Sequence, residues 1–228
     1  MIRALFVLAF LPAITIAAPV PKERPNEKLI REFGTPVDPD KDCSFTLDEK
    51  KLKITVPAGE HNFVNGRGLA NTARVIRSVD GDFVAQVRIR AVPGPTGAAG
   101  GPLLLAQTGL YFATDEKNFA FHARSLEFQP GGMLRLNGRH GGWVNGAAIG
   151  GGSSGGGHFS PETVYFRVVR TGNKTLFAAS TEGTGWHQFG GPDTSTYPGQ
   201  VTLGLFVTNS SKQAFTVEFD EYTVTPIK

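Results

Sequence analysis

Short runs in which apolar and polar residues alternate, divided by turn residues, make up most of the chain from Cys43 onward. The run Leu52–Val56 alternates strictly, which is the period of a strand with one buried face. None of the later runs has the period of an amphipathic helix, so the pattern is typical of short antiparallel strands. The predicted strands are 52–56, 74–79, 83–91, 103–113, 119–124, 164–168, 175–180, 201–208 and 214–224.

Polar turn residues separate three successive pairs of these strands. Asp80-Gly81 is a dipeptide that favours hairpin turns, and Asp115–Asn118 and Thr171–Asn173 have similar turn chemistry. Three hairpins in a row argue against a parallel α/β sheet, whose strands need long crossover connections. The pattern therefore predicts an all-β fold, an antiparallel sandwich of two sheets.

The glycine-rich segment 138–157 stands apart from the strand pattern. Glycine loses more backbone entropy on ordering than any other residue, so we predict a mobile loop here. The alternative interpretation is a flap that presents Trp143 to a ligand. A phosphate-binding loop is excluded, because it requires a following helix, whereas another strand pattern follows.

The amino terminus has the three parts of an export signal. Arg3 supplies the basic region, residues 4–16 the apolar region, and Ala17 the small residue at the cleavage site. A later cut would put Pro19 first in the mature chain, so cleavage is predicted after Ala17. A membrane anchor needs about 20 apolar residues, and this run is shorter and is interrupted by Pro12.

The predicted organisation has three parts. A signal peptide occupies residues 1–17, and a Pro-rich, charged tether with a short helix near residues 26–33 occupies 18–36. A β-sandwich domain follows at 37–228. The product is expected to be secreted, periplasmic or at the cell surface, with no membrane span once the signal is removed.

Charge and cysteine content limit the possible partners and stabilising bonds. The chain carries 23 Lys and Arg residues against 20 Asp and Glu residues. This balance argues against a nucleic-acid partner. Cys43 is the only cysteine, so no internal disulfide can form and the core must stabilise the fold. We expect Cys43 to be a small buried residue.

Glu218 and Asp220 match the first two acids of a strand motif, E-x-D-x-x-E, that retaining glucanases use. Such enzymes need a nucleophile and a general acid about 5–5.5 Å apart. Thr223 occupies the position of the second glutamate, so no acid stands there to protonate a leaving group. These residues are therefore predicted to be polar positions of a strand, and no catalytic residue is assigned.

Asp38, Asp40 and Asp42 have the spacing of the first oxygen ligands of a calcium-binding loop. Cys43 stands where an EF-hand has its glycine, and a strand pattern follows instead of a helix. The favoured interpretation is a polar turn that enters the first strand, and a helix-free calcium loop is the alternative. The histidines are scattered, and no serine elbow is present, so no other metal, cofactor or triad is predicted.

One sheet face is the remaining candidate for a binding surface. Alternation directs Phe119, Phe121 and Phe166 towards the core, which leaves polar and aromatic residues outside. Such residues suit sugars, which offer apolar ring faces surrounded by hydroxyl groups, although antiparallel sheets commonly have one polar face. The predicted ligand-binding residues are Tyr111, His122, Arg124, Arg135, Asn137, Trp143 (as a mobile lid) and Arg167, with Tyr165 beside them.

Several motifs in the same order resemble those of a known family. The motifs are Asn71–Phe83, Gly109–Phe119, Phe166–Gly172, Ser180–Trp186, Val201–Leu205 and Phe219–Tyr222. Through them the chain is similar to lectin-like domains of unknown function in the concanavalin A superfamily, sometimes called the "regulation of enolase" type, and to modules at the carboxyl terminus of some β-xylosidases. The similarity extends from Val37 to Val224.

The resemblance implies a jelly-roll sandwich and a carbohydrate-related role, with no established catalytic residues. Glu182 replaces the aspartate that the family usually has, and the glycine-rich segment is unusually long. We therefore expect a non-catalytic exported module whose partner is a glycan or a cell-surface polymer. The alternatives are a sugar-active hydrolase of the glucanase or keto-disaccharide hydrolase type, for which Glu127 is the nearest acid, and a structural or protein-interaction domain of the cell envelope.

Overall fold

The structure, a computed structural model, describes residues 32–63, 71–91, 104–129, 133–154, 163–191, 197 and 199–227. The predicted signal peptide and most of the predicted tether, including the helix expected near 26–33, lie outside this range. Within it, no helix is long and apolar enough to cross a membrane. The strands are β1 (Thr35–Val37), β2 (Ser44–Asp48), β3 (Lys51–Val56), β4 (Ala73–Asp80), β5 (Phe83–Ala91), β6 (Leu104–Asp115), β7 (Asn118–Gln129), β8 (Met133–Val144), β9 (Ala147–Ser154), β10 (Thr163–Thr171), β11 (Lys174–Ser180), β12 (His187–Gly190), β13 (Gln200–Asn209) and β14 (Phe215–Pro226).

The strands form two seven-stranded antiparallel sheets that pack face to face. The first sheet has the order β1-β4-β13-β6-β7-β8-β9, and the second has the order β12-β11-β10-β5-β14-β3-β2. This arrangement confirms the predicted all-β fold, an antiparallel jelly-roll sandwich of two sheets.

The core lies between the two sheets. In the second sheet, apolar and polar residues alternate along the strands, and the apolar side chains point into this core. In β10, Val164, Phe166 and Val168 are buried while the residues between them are part-exposed. In β3, Leu52, Ile54 and Val56 are buried in the same way. Burying one such side chain contributes about 1.5–3 kcal/mol, so a core of this size can hold the fold together although Cys43 forms no disulfide.

Two of the predicted hairpins are confirmed. Strands β6 and β7 pair across the turn in which the Asp115 carboxylate accepts the backbone N–H groups of Lys117 and Asn118. Strands β10 and β11 pair across a turn in which Gly172 has a positive φ of 56°.

The predicted hairpin at Asp80-Gly81 is wrong, although the turn exists. Gly81 has a φ of 66°, and its N–H donates to the carbonyl of Gly199. Strand β4 before it pairs with β1 and β13, whereas β5 after it pairs with β10 and β14 in the other sheet. A tight turn reverses the chain but does not choose the pairing partners, which long-range packing decided here.

The prediction of a mobile loop at 138–157 is wrong for residues 138–154, which belong to β8 and β9. These two strands form a hairpin about Asn145 and Gly146, whose φ angles are 53° and 80°. Positive φ at both central residues is the geometry of a type I′ turn, for which Asn-Gly is the favoured sequence. The turn is anchored because the Asn145 N–H donates to the side chain of Asn118 at 2.8 Å. Residues 155–157 lie outside the described range.

Candidate functional site

The predicted outward direction of His122 and Arg124 is wrong, because both side chains point into the sandwich. His122 is 1% exposed, and its ring lies 4.6 Å from Phe166 and 4.8 Å from Phe189 of the opposite sheet, centroid to centroid. Burial, with a smaller contribution from the nearby His140, lowers the pKa of His122 to about 3. Burial likewise lowers the pKa of Arg124 to about 10. Neither side chain can reach a polymer outside the sheets.

Aromatic residues cover the outer face of the first sheet and explain this error. Phe119 and Phe121 point outward in β7, where Phe63 stacks on them at ring distances of 5.6 and 5.4 Å. Because β7 is buried on both faces, its polar–apolar alternation did not reveal which face is the core. We call this group the outer aromatic cluster: Phe63, Tyr111, Phe119, Phe121, Trp143 and Phe206.

Tyr111 and Trp143 belong to this cluster and are not part of an open binding surface. Trp143 lies in β8 opposite Phe119, and the two rings stack with centroids 4.6 Å apart. It is therefore held in a strand, not carried on a mobile lid. Tyr111 is buried, and burial raises the pKa of its hydroxyl.

Arg135 and Asn137 are also in β8, in register with Glu127 and Ser125 of β7. Their side chains lie outside the described part of the structure, so their role in binding stays a prediction.

The predicted outward direction of Tyr165 and Arg167 is confirmed. Both lie on the outer face of the second sheet, in β10 beside β5, whose other neighbour is β14. We call this surface the polar face: Gln86, Arg88, Arg90, Tyr165, Arg167, Trp186, Glu218, Asp220 and Glu221.

Arg88 is the centre of the polar face. Its Nε and one terminal nitrogen donate to the two carboxylate oxygens of Asp220 at 2.6 and 2.8 Å. The other terminal nitrogen donates to the Tyr165 hydroxyl at 3.2 Å and lies 2.6 Å from Glu221 Oε1. Hydrogen bonding by Asp220, opposed in part by burial, raises the pKa of Arg88. The guanidinium of β5 therefore joins side chains from the two strands on either side of it, β10 and β14.

Arg167 forms a second unit on the same face. Its Nε and a terminal nitrogen donate to the side-chain oxygen of Gln86 at 3.2 and 2.7 Å. Its guanidinium carbon lies 3.8 Å from the centre of the Trp186 ring, within the range of a cation–π contact. Trp186 follows the turn of Gly183 and Gly185, both with positive φ.

A bulge in β14 puts two consecutive acids within reach of Arg88. Successive strand residues normally point to opposite faces. The pairing of β14 with β5 shifts register between Asp220 and Thr223, and Glu221 has a φ of 51°. The irregularity turns the Glu221 side chain to the same side as Asp220.

Each of the described carboxylates on the polar face has a cationic partner. Asp220 and Glu221 contact Arg88, and Glu218 lies 3.3 Å from the ammonium of Lys53. These acids are therefore engaged in ion pairs. From the sequence, Glu127 is the one acid predicted near the sugar-binding surface. The structure shows three further acids, Glu218, Asp220 and Glu221, on the polar face.

Sequence reasoning missed Gln86, Arg88 and Arg90, although their signal was present. These residues alternate with the apolar Ala85, Val87 and Ile89 in β5, which a period-two pattern would have placed on one outer face.

The polar turn before β2 brings the predicted calcium-loop residues to a histidine. Asp38 closes the turn, because its two carboxylate oxygens accept the N–H groups of Lys41 and Cys43, each at 3.0 Å. Asp40 and Asp42 lie on either side of the His61 ring. A calcium loop at this turn stays a prediction.

Comparison with solved structures shows the fold. No family model and no curated protein matches the chain. A functionally unknown protein from Saccharomyces cerevisiae aligns with a TM-score of 0.65 at 15% identity, over 86% of this chain and 98% of that chain. The glycoside hydrolase GH43 BlXynB from Bacillus licheniformis aligns with a TM-score of 0.61 at 20% identity. A laminarinase from Flavobacterium sp. UMI-01 aligns with a TM-score of 0.51 at 11% identity, over 80% of this chain and 81% of that chain.

The alignment with BlXynB covers 83% of this chain but 36% of the hydrolase, so this chain matches about a third of that protein. At these identities the comparisons establish a shared jelly-roll architecture. They also show that the architecture occurs in proteins named for their action on carbohydrates.

Proposed function

We propose that this protein is an exported, non-catalytic module that binds a carbohydrate polymer across the polar face of the second sheet. The observation that carries the proposal is the hydrogen-bonded arrangement of Arg88, Tyr165 and Asp220 beside the Arg167–Trp186 stack.

The polar face has the chemistry that sugar recognition requires. Guanidinium groups donate hydrogen bonds to sugar hydroxyls, carboxylates accept them, and an aromatic ring packs against the apolar face of a pyranose. The Arg88 side chain keeps 21% of its surface exposed while Asp220 keeps 7%, so the carboxylate braces an accessible guanidinium. Because the groups already hold one another in place, little side-chain entropy remains to be lost on binding.

The outer face of the first sheet is a weaker candidate for the same role. Its aromatic residues pack on one another, with Phe63 stacked on Phe119 and Phe121. A ligand there would have to displace these contacts.

The ion pairs on the polar face favour binding over hydrolysis. A retaining glycosidase needs one carboxylate free to attack and another able to protonate the leaving group. Asp220 and Glu221 are instead bound by the Arg88 guanidinium, and Thr223 replaces the second glutamate of the glucanase motif.

The proposal includes the finer predictions made from sequence. The chain is a domain of the "regulation of enolase" type, its residues 1–17 direct export, and the mature protein acts outside the cytoplasm or at the cell surface. Amino-terminal sequencing of the secreted product, with Ala18 as the expected first residue, tests the export step.

The binding proposal is tested with the purified chain on an array of glycans and by affinity electrophoresis in soluble polysaccharides. We expect binding to at least one polymer, weakened about tenfold or more by Arg167→Ala and by Trp186→Ala, a loss of about 1.4 kcal/mol or more. Arg139→Ala is the matched control, since Arg139 is an accessible arginine on the outer side of the first sheet, paired with Glu127.

Three results would overturn the proposal. The first is that no polymer binds, and the second is that Arg139→Ala weakens binding as much as Arg167→Ala. The third is release of reducing sugars from a bound polymer by the wild-type chain, which would make the protein a hydrolase.

A further inference from the structure

His61 is a buried histidine whose ring is directed at a group of potential metal ligands. Its side chain keeps 5% of its surface exposed, and its Nδ1 is buried with no hydrogen-bond partner among the described residues. Its backbone is fixed by two hydrogen bonds with Asn209, of 2.8 and 3.0 Å. A buried polar nitrogen without a partner costs free energy. A metal ion bound at Nε2 would keep the proton on Nδ1, where it can be donated to Asp40, 3.6 Å away.

Two carboxylates and the chain's one thiol surround that ring. Asp42 Oδ2 lies 3.6 Å from His61 Nε2, and Asp42 Oδ1 lies 3.5 Å from Cys43 Sγ. One ligand atom each from Asp42, Cys43 and His61 can be chosen so that all three lie within 4.8 Å of one another. On the other side of the ring, Asp40 Oδ2 lies 3.6 Å from Nδ1.

We propose that His61, Cys43 and Asp42 form a binding site for a divalent transition-metal ion, with Zn²⁺ as the best fit. The three residues supply one nitrogen, one sulfur and one oxygen, and solvent completes the coordination through the exposed side of Asp42. Neither the fold comparisons nor the carbohydrate-binding proposal assigns this site, and it does not depend on either.

The separations fit a tetrahedral metal ion. With zinc–sulfur bonds near 2.3 Å and zinc–nitrogen or zinc–oxygen bonds near 2.0 Å, neighbouring ligand atoms stand about 3.3–3.5 Å apart. Asp42 Oδ1 lies 3.5 Å from Cys43 Sγ, and Asp42 Oδ2 lies 3.6 Å from His61 Nε2, both close to this spacing. Since one ligand atom from each residue lies within 4.8 Å of the others, side-chain rotations that bring a single Asp42 oxygen, the sulfur and the ring nitrogen about 1 Å closer together complete the geometry.

Asp40 lies where an outer-sphere carboxylate, one that accepts a hydrogen bond from the metal-bound histidine, is expected. A metal-bound histidine almost always donates its other ring N–H to a carboxylate or carbonyl, which fixes the ring orientation. Asp40 stands on the Nδ1 side while Asp42 stands on the Nε2 side. Asn71 in turn donates to Asp40 Oδ2 at 2.9 Å, and Asp38 holds the turn that carries Asp42 and Cys43.

The ligand types favour zinc over calcium. Calcium takes six to eight oxygen ligands, whereas thiolate and imidazole suit zinc and related ions. On binding, the Cys43 thiol loses its proton to water and the sulfur becomes an anionic ligand. The positive ion then offsets the repulsion between that sulfur and the neighbouring carboxylates.

The site is tested with the full chain freed of metal by a chelator and titrated with ZnCl₂ in a calorimeter, and with CoCl₂ in a spectrophotometer. We expect one Zn²⁺ per chain and, with Co²⁺, a near-ultraviolet band from charge transfer between sulfur and metal. Cys43→Ser should remove the band and weaken Zn²⁺ binding about 100-fold, and Asp40→Asn should weaken it about 10–100-fold.

Asp48→Asn is the matched control, because Asp48 is an exposed acid at the far end of β2 and should leave Zn²⁺ affinity unchanged. Cys43→Ser is preferred to a change of the buried His61, and circular dichroism checks its fold. Absence of Zn²⁺ binding, or equal affinity in wild type and Cys43→Ser, would overturn the proposal. So would binding of Ca²⁺ in preference to Zn²⁺, which would instead support a calcium loop at Asp38–Asp42.

Discussion

Arg88 of β5 and Asp220 of β14 face each other across neighbouring strands and form a bidentate ion pair, with hydrogen bonds of 2.6 and 2.8 Å. The carboxylate is the more buried partner, with 7% of its side-chain surface exposed. Planar two-point contact of this kind fixes both position and orientation of the guanidinium. The polar face of the second sheet is therefore rigid at its centre.

Breaking this pair should destabilise the fold. Asp220→Asn removes the negative charge and replaces one of the two acceptor oxygens of Arg88 with an NH2 donor, and we expect the free energy of unfolding to fall by about 1–3 kcal/mol. Urea denaturation followed by circular dichroism measures the change. Glu221→Gln is the control, because Glu221 is exposed and its loss should cost less than about 0.5 kcal/mol. Equal costs for the two variants would show that the Asp220 contact is unimportant.

The buried His122 should make the protein less stable in acid. Its pKa is about 3 when folded and about 6.5 when unfolded, so the unfolded chain binds a proton that the folded chain does not. The contribution of neutral His122 to the free energy of unfolding is therefore fully present above pH 6.5. It is lost as the pH drops from 6.5 towards 3, by up to about 1.4 kcal/mol per pH unit. His140 acts in the same direction, because burial also lowers its pKa.

Urea midpoints measured between pH 7 and pH 4 test this expectation. His122→Leu should flatten the pH dependence, and His187→Gln, a change at an exposed histidine, should leave it as in wild type. A wild-type slope retained in His122→Leu would assign the acid sensitivity to other groups.

The Cys43 thiol should react slowly with alkylating agents. Burial first, and then the charges of Asp38 and Asp42, raise the pKa of this thiol, and the thiolate is the reactive form. With iodoacetamide at pH 8 and a chelator present, we expect alkylation at least about tenfold slower in the native chain than in urea. Mass spectrometry counts the adducts, and a single cysteine makes the result unambiguous. Similar rates in the two states would contradict the geometry at this turn.

The two tryptophans should have different roles, with Trp143 contributing to stability and Trp186 to polymer binding. Trp143 stacks on Phe119 and Phe121 at 4.6 and 5.9 Å, so Trp143→Ala should cost about 2–4 kcal/mol of stability. Trp186 contacts Arg167 at the surface, so Trp186→Ala should cost about 1 kcal/mol or less while weakening polymer binding. Denaturation curves and affinity electrophoresis on both variants check the division, and the reverse pattern would place the ligand on the outer aromatic cluster.

Alternation predicted the second sheet well, because each of its central strands has one apolar and one polar face. In β10 it placed Phe166 inside and Arg167 outside, as the structure has them. For the first sheet the same alternation gave the wrong faces, since β7 has phenylalanines on its outer face and His122 on its inner face. Periodicity alone cannot separate the two faces of a strand that is buried on both.

Long-range arrangement accounts for the other differences. The sequence Asn145-Gly146 is typical of a tight turn, but the glycines around it suggested a loop. These glycines lie in a strand because their backbone pairs with β7, and the sequence carries no sign of that pairing. The approach of His61 to Asp42 was not readable, because it depends on the bridge between His61 and Asn209. Spacing along the chain carries no information about such a contact.

The positions of the last two strands have a consequence for how the chain folds. Strand β13 lies between β4 and β6 in one sheet, and β14 lies between β5 and β3 in the other. Each sheet therefore stays divided until residues 200–226 have been synthesised and can insert. Pairings of such long sequence separation make folding slow and leave unpaired strand edges open in the meantime. Removal of the chain from Gln200 onward should accordingly leave both sheets divided, whereas removal from Phe215 onward should leave only the second sheet divided.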